Sequence, residues 1–520
     1  IAGNQASFLE AVGGTVLVNS LAAYRGATVA APVSLRDNVA SNVSAGGGSS
    51  QVVGVGRNRN GVVAVNGLYL DGGDAGAVSL RNTPATLIGN TAQQINANGG
   101  RINTNALAIN GTGSVSGGSV FAQGNSALRV SSEGSEGTVL GYAAIDRGVG
   151  SANANALQVL GRLTDSTVGL MRNQATDVRA EKGLAAANSV VIDKDGSMAN
   201  APVGLASNEA NGVQASGGKT ALANSVLAEG RIEGGSVAVT ANITPKAAAG
   251  SEDTQASSLR VRGGANQGRT TAVVMGNGAD VNDGGTANSI DNGGGAENTR
   301  LSVASNHATI RGGGTANSVV LERGGSVQGG QVDVLGNHAT VNGGGLANSV
   351  RSRGAIASSQ ITILGNQATV NGGGTVNSVD NRGRIDSARI VIASNTGEAR
   401  GGGTVNSVAN RGKLSGRISI IGNRGTATGG GTVNSVVNHG VLTGDVTIAG
   451  NTGSAVMGGT ANSLINHGVV SGKVSIVGNG SVVSAGMTAG SVRNMSALVG
   501  SAGVSADRKS TRLNSSHVSQ

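Results

Sequence analysis

Residues 312–345 read G-G-G-T-A-N-S-V-V-L-E-R-G-G-S-V-Q-G-G-Q-V-D-V-L-G-N-H-A-T-V-N-G-G-G, and this unit recurs along the chain. The asparagine of N-S-V returns after 29, 31, 29, 29, 28 and 28 residues, at Asn288, Asn317, Asn348, Asn377, Asn406, Asn434 and Asn462. The asparagine of G-N or S-N keeps the same period, at Asn306, Asn337, Asn366, Asn395, Asn423, Asn451 and Asn479. Two independent landmarks with one period in this range indicate a repeat architecture.

Inside each unit the apolar residues alternate. Ile361 and Ile363 flank Thr362, and Ile390 and Ile392 stand at the equivalent positions one unit later. Alternation of β-branched residues with mostly polar ones is typical of a strand that is buried on one face. A unit of three or four such strands buries its apolar face only against a neighbouring unit. The sequence therefore predicts an all-β fold, a single extended parallel β-solenoid of about fifteen coils with 28–31 residues per regular coil.

Glycine and asparagine are expected at the corners of each coil. Glycine triplets such as residues 343–345 provide positive φ or close approach between coils. Asn317 and its equivalents tolerate the left-handed region, and stacked amides can hydrogen-bond along the axis. The pattern does not decide whether Asn317 points inward or outward.

The repeat divides the chain into three parts. Residues 284–506 form the regular coils, and residues 1–283 hold diverged coils with copies of N-S-V at Asn188 and Asn224 and a due copy at Ser257. Residues 507–520 break the pattern and read like the translation of a sequencing adapter, so we expect a non-native tail. Since the chain opens at Ile1, we also expect a fragment whose export signal lies upstream.

Composition narrows the protein class. Aromatic residues are 1% of the chain, and 91 glycines accompany only 4 prolines, which excludes collagen. Cysteine is absent, so disulfides and thiolate metal sites are excluded. The 37 basic and 28 acidic residues give a formal charge of +9 over 520 residues, too dilute to indicate specific nucleic-acid binding.

Residues 365–379, G-N-Q-A-T-V-N-G-G-G-T-V-N-S-V, carry a family resemblance. This stretch resembles the Gly- and Asn-rich β-helical passenger regions of bacterial autotransporters and haemagglutinin-like adhesins. The resemblance implies a protein of the bacterial cell surface or outer membrane, or a secreted one, with an outer-membrane β-barrel translocator outside this sequence as partner. It also implies a passenger or stalk that mediates multivalent adhesion to host or bacterial surface glycans or matrix. The alternatives are a structural spacer for a separate toxin or lectin domain, and a β-helical polysaccharide-degrading enzyme.

A row of basic residues precedes the turn glycine in successive units. If the coils stack in register, these side chains form a stripe that is a candidate for polyanion binding. The alternative is that they only solvate an exposed turn. The row consists of Arg323, Arg353, Arg382, Arg411, His439 and His467.

Other chemistry has little support in the sequence. The paired positions of His307 with His338 and of His439 with His467 are filled by Gln or Arg in nearby units, so we predict no metal site. The acidic residues occupy different phases of the repeat, whereas carbohydrate cleavage needs paired carboxylates. We therefore predict no catalytic residues, no cofactor and no enzymatic activity. The densest acidic segment, residues 193–196, reads first as a turn.

Overall fold

The fold is all β, built of parallel strands with no helix in the described part of the chain. The computed structural model describes residues 1–12, 16–19, 21–24, 27–46, 61–65, 68–71, 78–98, 100–104, 107–110, 114–133, 152–154, 157–159, 161–180, 185–192, 194, 196–215, 220–249, 254–262, 266–483, 488–499 and 502–504. The predicted tail at 507–520 and the two aspartates of the acidic segment at 193–196 lie outside these residues. Two compact units divide the chain between Asn288 and Ser289.

One coil of the second unit passes through four sheets, which we call sheets I to IV in chain order. Sheet I receives one strand from each coil, and its described strands in this unit are Gly314–Ala316, Gly345–Ala347, Gly374–Val376, Gly403–Val405, Gly431–Val433, Gly459–Ala461 and Thr488–Ala489. Sheet II holds Ile290–Asn292, Val319–Leu321, Val350–Ser352, Val379–Asn381, Val408–Asn410, Val436–Asn438, Leu464–Asn466 and Val492–Asn494.

Sheet III receives two strands from each coil, which fuse into one long strand in two of the described coils. They are Gly295–Glu297, Arg300–Ala304, Ser326–Gln328, Gln331–Leu335, Ala355–Ala357, Gln360–Leu364, Arg384–Ala393, Lys413–Ile421, Val441–Thr443, Val446–Ala449, Val469–Ser471, Val474–Val477, Ala497–Val499 and Ala502–Val504. Sheet IV holds His307–Ile310, His338–Asn342, Gln367–Asn371, Thr396–Arg400, Arg424–Thr428, Thr452–Val456 and Gly480–Val483.

The first unit follows the same order. Its described sheet I strands are Val16–Val18, Gly61–Val65, Gly100–Thr104, Ala152–Ala154, Ala185–Ala187, Ala221–Ala223, Thr254–Ala256 and Gly285–Ala287, and its sheet II strands are Leu21–Tyr24, Leu68–Asp71, Leu107–Asn110, Leu157–Val159, Val190–Ile192, Val226–Ala228 and Leu259–Val261. Its sheet III strands are Thr28–Val29, Val33–Arg36, Ser79–Arg81, Pro84–Ile88, Ser114–Ser116, Ser119–Gln123, Arg162–Thr164, Thr167–Met171, Ser197–Ala199, Val203–Ala206, Arg231–Thr240 and Asn266–Met275. Its sheet IV strands are Gln5–Val12, Val39–Gly46, Thr91–Asn98, Ser126–Glu133, Gln174–Ala180, Glu209–Ala215, Ile243–Ala249 and Gly278–Asn282.

The predicted fold class is confirmed, and the number of coils agrees with it. Sheet IV alone has eight described strands in the first unit and seven in the second. Each coil has up to five strands rather than the three or four that the sequence predicts. The additional strand is the Gly-Thr-Ala or Gly-Thr-Val segment of sheet I, which is too short to show an alternating pattern. In the triplet 343–345 the first two glycines form the corner, with φ of 92° and 83°, and Gly345 begins the strand.

The core is a set of aliphatic columns. Ile363 pairs with Ile392, and Ile392 pairs with Ile420, so each side chain lies against its equivalent in the next coil. All three are fully buried. Each buried aliphatic side chain of this kind stabilises the fold by about 1.5–3 kcal/mol. The narrow interior is thus filled by Val, Ile, Leu and Ala, without large rings.

Buried asparagines connect the coils at the corner between sheets III and IV. The Asn395 amide donates to Asn423 Oδ1 at 3.0 Å and to the Ile363 carbonyl at 2.9 Å. Its own Oδ1 accepts from the backbone N–H of Asn366 at 2.9 Å and from the Asn366 amide at 3.0 Å. Because every amide is bonded in this way, burial costs little and fixes the stacking register. The same pattern runs through Asn337, Asn366, Asn395, Asn423, Asn451 and Asn479.

A second asparagine ladder lies at the corner between sheets I and II. Asn406 has a φ of 49° and is fully buried, so the question of its direction is answered: the side chain points inward. Its amide donates to Asn434 Oδ1 at 3.0 Å and to the Arg424 carbonyl at 2.9 Å. Ser257 fills this corner in the first unit, with a φ of 48° and a hydrogen bond to Thr244, as its spacing predicts.

Candidate functional site

Five members of the predicted basic row do lie in register. Each directly follows a strand of sheet II, and its backbone N–H donates to a carbonyl of the coil before. The N–H of Arg382 bonds Ser352 O, that of Arg411 bonds Asn381 O, and that of His439 bonds Asn410 O, each at 2.7 Å. The five residues that lie in register are Arg353, Arg382, Arg411, His439 and His467.

The prediction is wrong for Arg323. Leu321 pairs with Ser352 and Ser326 pairs with Ala355, so four residues of this coil stand against two of the next. Glu322 follows the strand directly and takes the position opposite Arg353, and its carboxylate accepts a hydrogen bond from Arg353 Nη1 at 2.9 Å. Arg323 lies in the insertion that makes this coil longer, and a spacing argument alone does not reveal where the insertion falls.

Carboxylates partly neutralise the row. Asp380 has a side chain only 5% exposed and pairs with Arg351 at 3.2 Å, Arg382 at 3.1 Å and Arg411 at 3.2 Å. Burial lowers the pKa of Arg351; Asp380 opposes this shift, while Arg382 and Arg353 add to it. The row is therefore a network of alternating charge over these coils. Asp380 precedes Arg382 by two residues, and this spacing is the sequence signal for the pair.

The two histidines of the row stack on each other. The rings of His439 and His467 have centroids 4.5 Å apart and an angle of 9° between their planes. Burial lowers the pKa of His439, and the neighbouring His467 and Arg411 lower it further. His307 and His338 form a second stacked pair at 4.9 Å. In the described residues, no group of three or more His, Asp or Glu side chains is placed to hold a metal ion.

Sheet III carries a basic cluster that the sequence reasoning missed. Arg384 pairs in register with Lys413, and Arg389 pairs in register with Arg417. All four side chains are exposed. The sequence contains a signal for this cluster, because Arg389 and Arg417 immediately precede the alternating segments Ile390–Ile392 and Ile418–Ile420. Arg382 and Arg411 lie close to Arg384 and Lys413 in the chain, directly after strands of sheet II. We name the six residues together the sheet III basic patch: Arg382, Arg384, Arg389, Arg411, Lys413 and Arg417.

The carboxylates of Asp333, Asp380 and Asp445 are separated from one another. Asp333 pairs with Arg300 in sheet III, and Asp380 lies among three arginines beside sheet II. Asp445 accepts a hydrogen bond from the backbone N–H of Lys473 at 3.2 Å. Each of the three carboxylates thus has its own partners, and they do not face one another across a groove. Within the part of the chain that the structure describes, no helix is both long and apolar enough to cross a membrane.

Protein families and curated proteins provide no relative of this chain. No family model matches the chain, and no curated protein matches it either.

Proposed function

We propose that this chain is the passenger or stalk of a bacterial surface adhesin, which mediates multivalent adhesion to cells, glycans or matrix. The observation that carries the proposal is the in-register recurrence of exposed side chains in the second unit. Parallel neighbouring strands lie about 4.8 Å apart, so one outward position repeats at that interval from coil to coil. Weak contacts that repeat on a stiff scaffold add as avidity.

Two further features support an adhesive surface. The core is complete without a ligand, since aliphatic columns and bonded asparagines hold each coil to the next. The outer positions are thus open to carry contacts that do not affect folding. The basic residues of sheets II and III concentrate between Arg351 and Arg417, which gives the surface a charged region that attracts anionic partners.

Adhesion by the chain itself is tested with this chain coupled to beads at graded densities. We expect retention on epithelial or bacterial cells to rise steeply with density and to fall with salt, because avidity multiplies weak charged contacts. Beads that carry the double variant T362A/T447A, changed at two outward hydroxyl positions of sheet III, serve as the control and should behave like the parent. Retention equal to that of uncoated beads at every density would overturn the proposal.

A structural spacer is the second candidate, and one observation favours it. Many outward positions of the second unit are small and neutral, such as the in-register Thr375, Thr404 and Thr432 of sheet I. A surface of this kind keeps a stiff scaffold soluble without binding anything. The bead experiment separates the two candidates, because a spacer predicts no retention at any density.

A further inference from the structure

Two adjacent long strands of sheet III present four cations to solvent. Arg384–Ala393 pairs with Lys413–Ile421, which places Arg389 beside Arg417 and Arg384 beside Lys413. The spacing between parallel strands is about 4.8 Å, well within reach of two arginine side chains. The outward faces of the two coils therefore place the side chains of Arg389 and Arg417 next to each other, and the side chain of Arg384 next to that of Lys413.

Three of these cations have no acidic partner among the described residues. Arg389, Lys413 and Arg417 form no ion pair with any described residue, whereas Arg384 pairs with Asp386. Elsewhere in the same unit, Arg353 pairs with Glu322 and Arg400 pairs with Glu398. Several basic side chains around the patch are thus neutralised, whereas these three are not.

The patch carries a net positive charge. Its six cations are offset by Asp380, which bonds Arg382 and Arg411, and by Asp386, which leaves +6 minus 2, or +4. Asp445 lies one coil beyond Arg417 in the same column and marks the boundary of the patch. Two unit charges 4.8 Å apart repel by roughly 0.9 kcal/mol in bulk water, and an anion bound between Arg389 and Arg417 removes this repulsion.

The chemistry of the patch suits an oxyanion. A guanidinium presents a planar fork of N–H donors that matches sulfate or phosphate oxygens, and two forks side by side can hold one such group. Nearby outward residues are hydroxyls and amides, including Gln360 and Ser415, which suit the hydroxyl groups of a sugar. Stacking on aromatic rings is a main source of affinity for single-stranded nucleic acid, and aromatic residues make up only 1% of this chain.

We propose that the sheet III basic patch binds linear sulfated polysaccharide, with a sulfate group held between Arg389 and Arg417. The inference names the ligand class of the proposed adhesive surface, and it rests on that proposed function only for its biological setting. Binding itself requires the two coils and their unpaired cations.

The test measures binding of the full chain to a sulfated oligosaccharide by calorimetry at several salt concentrations. The unsulfated oligosaccharide of the same backbone and a DNA duplex are compared in parallel. The variant R389Q/R417Q should weaken binding of the sulfated chain about 10-fold or more, the loss expected for two charge-assisted contacts. The control R231Q/R400Q removes two exposed arginines that already have acidic partners, and it should change the affinity less than about 2-fold.

The outcomes separate the possibilities. Equal losses in both double variants would mean a general charge effect and would overturn the site, as would tighter binding of the unsulfated chain or of DNA. Matching thermal unfolding of the two variants confirms that a loss is not a folding defect. If the parent chain adheres on beads but does not bind the sulfated oligosaccharide, this site alone is overturned. If the parent chain binds the sulfated oligosaccharide but shows no bead adhesion, the proposed function alone is overturned.

Discussion

The first unit, residues 1–288, and the second, residues 289–520, make the same coil with different connections. In the first unit the chain uses 18 residues to pass from Glu133 in sheet IV to Ala152 in sheet I, and 14 to pass from Gly46 to Gly61. In the second unit it uses two residues at five of these corners, as between Asn371 and Gly374. The tight connection depends on glycines at positive φ, such as Gly372 at 93°.

The buried asparagine ladder is common to both units despite this difference. In the first unit it runs through Asn90, Asn125, Asn173, Asn208, Asn242 and Asn277, with chain separations of 35, 48, 35, 34 and 35 residues. In the second unit the separations are 28–31 residues. The comparison indicates that the inner hydrogen bonds define the coil, while its length and outer corners are free to vary.

The largest expected effect concerns the close approach of coils in the second unit. A Cβ at Gly412 would lie 1.9 Å from the Gly383 carbonyl oxygen, so Gly412→Ala forces the backbone apart. We expect a loss of about 3 kcal/mol or more in unfolding free energy, measured by urea denaturation. The first unit provides the control Gly204→Ala, whose Cβ has no neighbour closer than 4.0 Å and should be nearly neutral. Similar losses in both variants would contradict the conclusion that the close approach of coils at Gly412 requires glycine.

The asparagine ladder should respond alike in the two units. Asn395→Ala and Asn208→Ala each remove an amide that is bonded above, below and to a backbone carbonyl. We expect each to lower the unfolding free energy by about 2–4 kcal/mol, because buried groups lose their partners. Hydrogen exchange at the adjacent coils measures each unit separately. A loss of unfolding free energy in the second unit with none in the first would show that the ladder does not stabilise the irregular coils.

The charge network beside sheet II gives a smaller effect that is confined to the second unit. Asp380→Asn leaves Arg351, Arg382 and Arg411 without their shared carboxylate, and we expect a loss of about 1–3 kcal/mol. Asp386→Asn is the control, because its partner Arg384 is exposed and the pair contributes less than about 1 kcal/mol. The midpoint of urea unfolding reports both. An equal urea midpoint for the two variants would mean that sharing Asp380 among three arginines contributes no additional stability.

The smallest effect is a dependence on pH. Burial lowers the pKa of His439 below its ordinary value of 6.5, so the unfolded chain binds the proton more readily than the folded one. The contribution of neutral His439 to stability is present above pH 6.5 and is lost as the pH falls through the lowered pKa. The urea midpoint should decline slightly in this window, and less so in His439→Gln. An identical decline in the variant would assign the effect to other groups.

Much of the architecture could be predicted because its signals repeat along the chain. The alternating pair Ile361 and Ile363 fixes a strand and its buried face, and two asparagine landmarks fix the period. Hydrophobic periodicity depends only on neighbours in sequence, so it can be detected from the sequence alone. The fold class and the number of coils therefore followed from the sequence alone.

Only the tertiary structure decided which side chains meet between coils. Neighbours such as Asp380 and Arg411 are 31 residues apart, and one insertion is enough to replace Arg323 by Glu322 opposite Arg353. The inward direction of Asn406 also depends on carbonyl and amide partners that other coils supply. The period of a repeat is set by residues that are close in sequence. The partner of an exposed charge depends instead on where each coil places its inserted residues, which the period does not reveal.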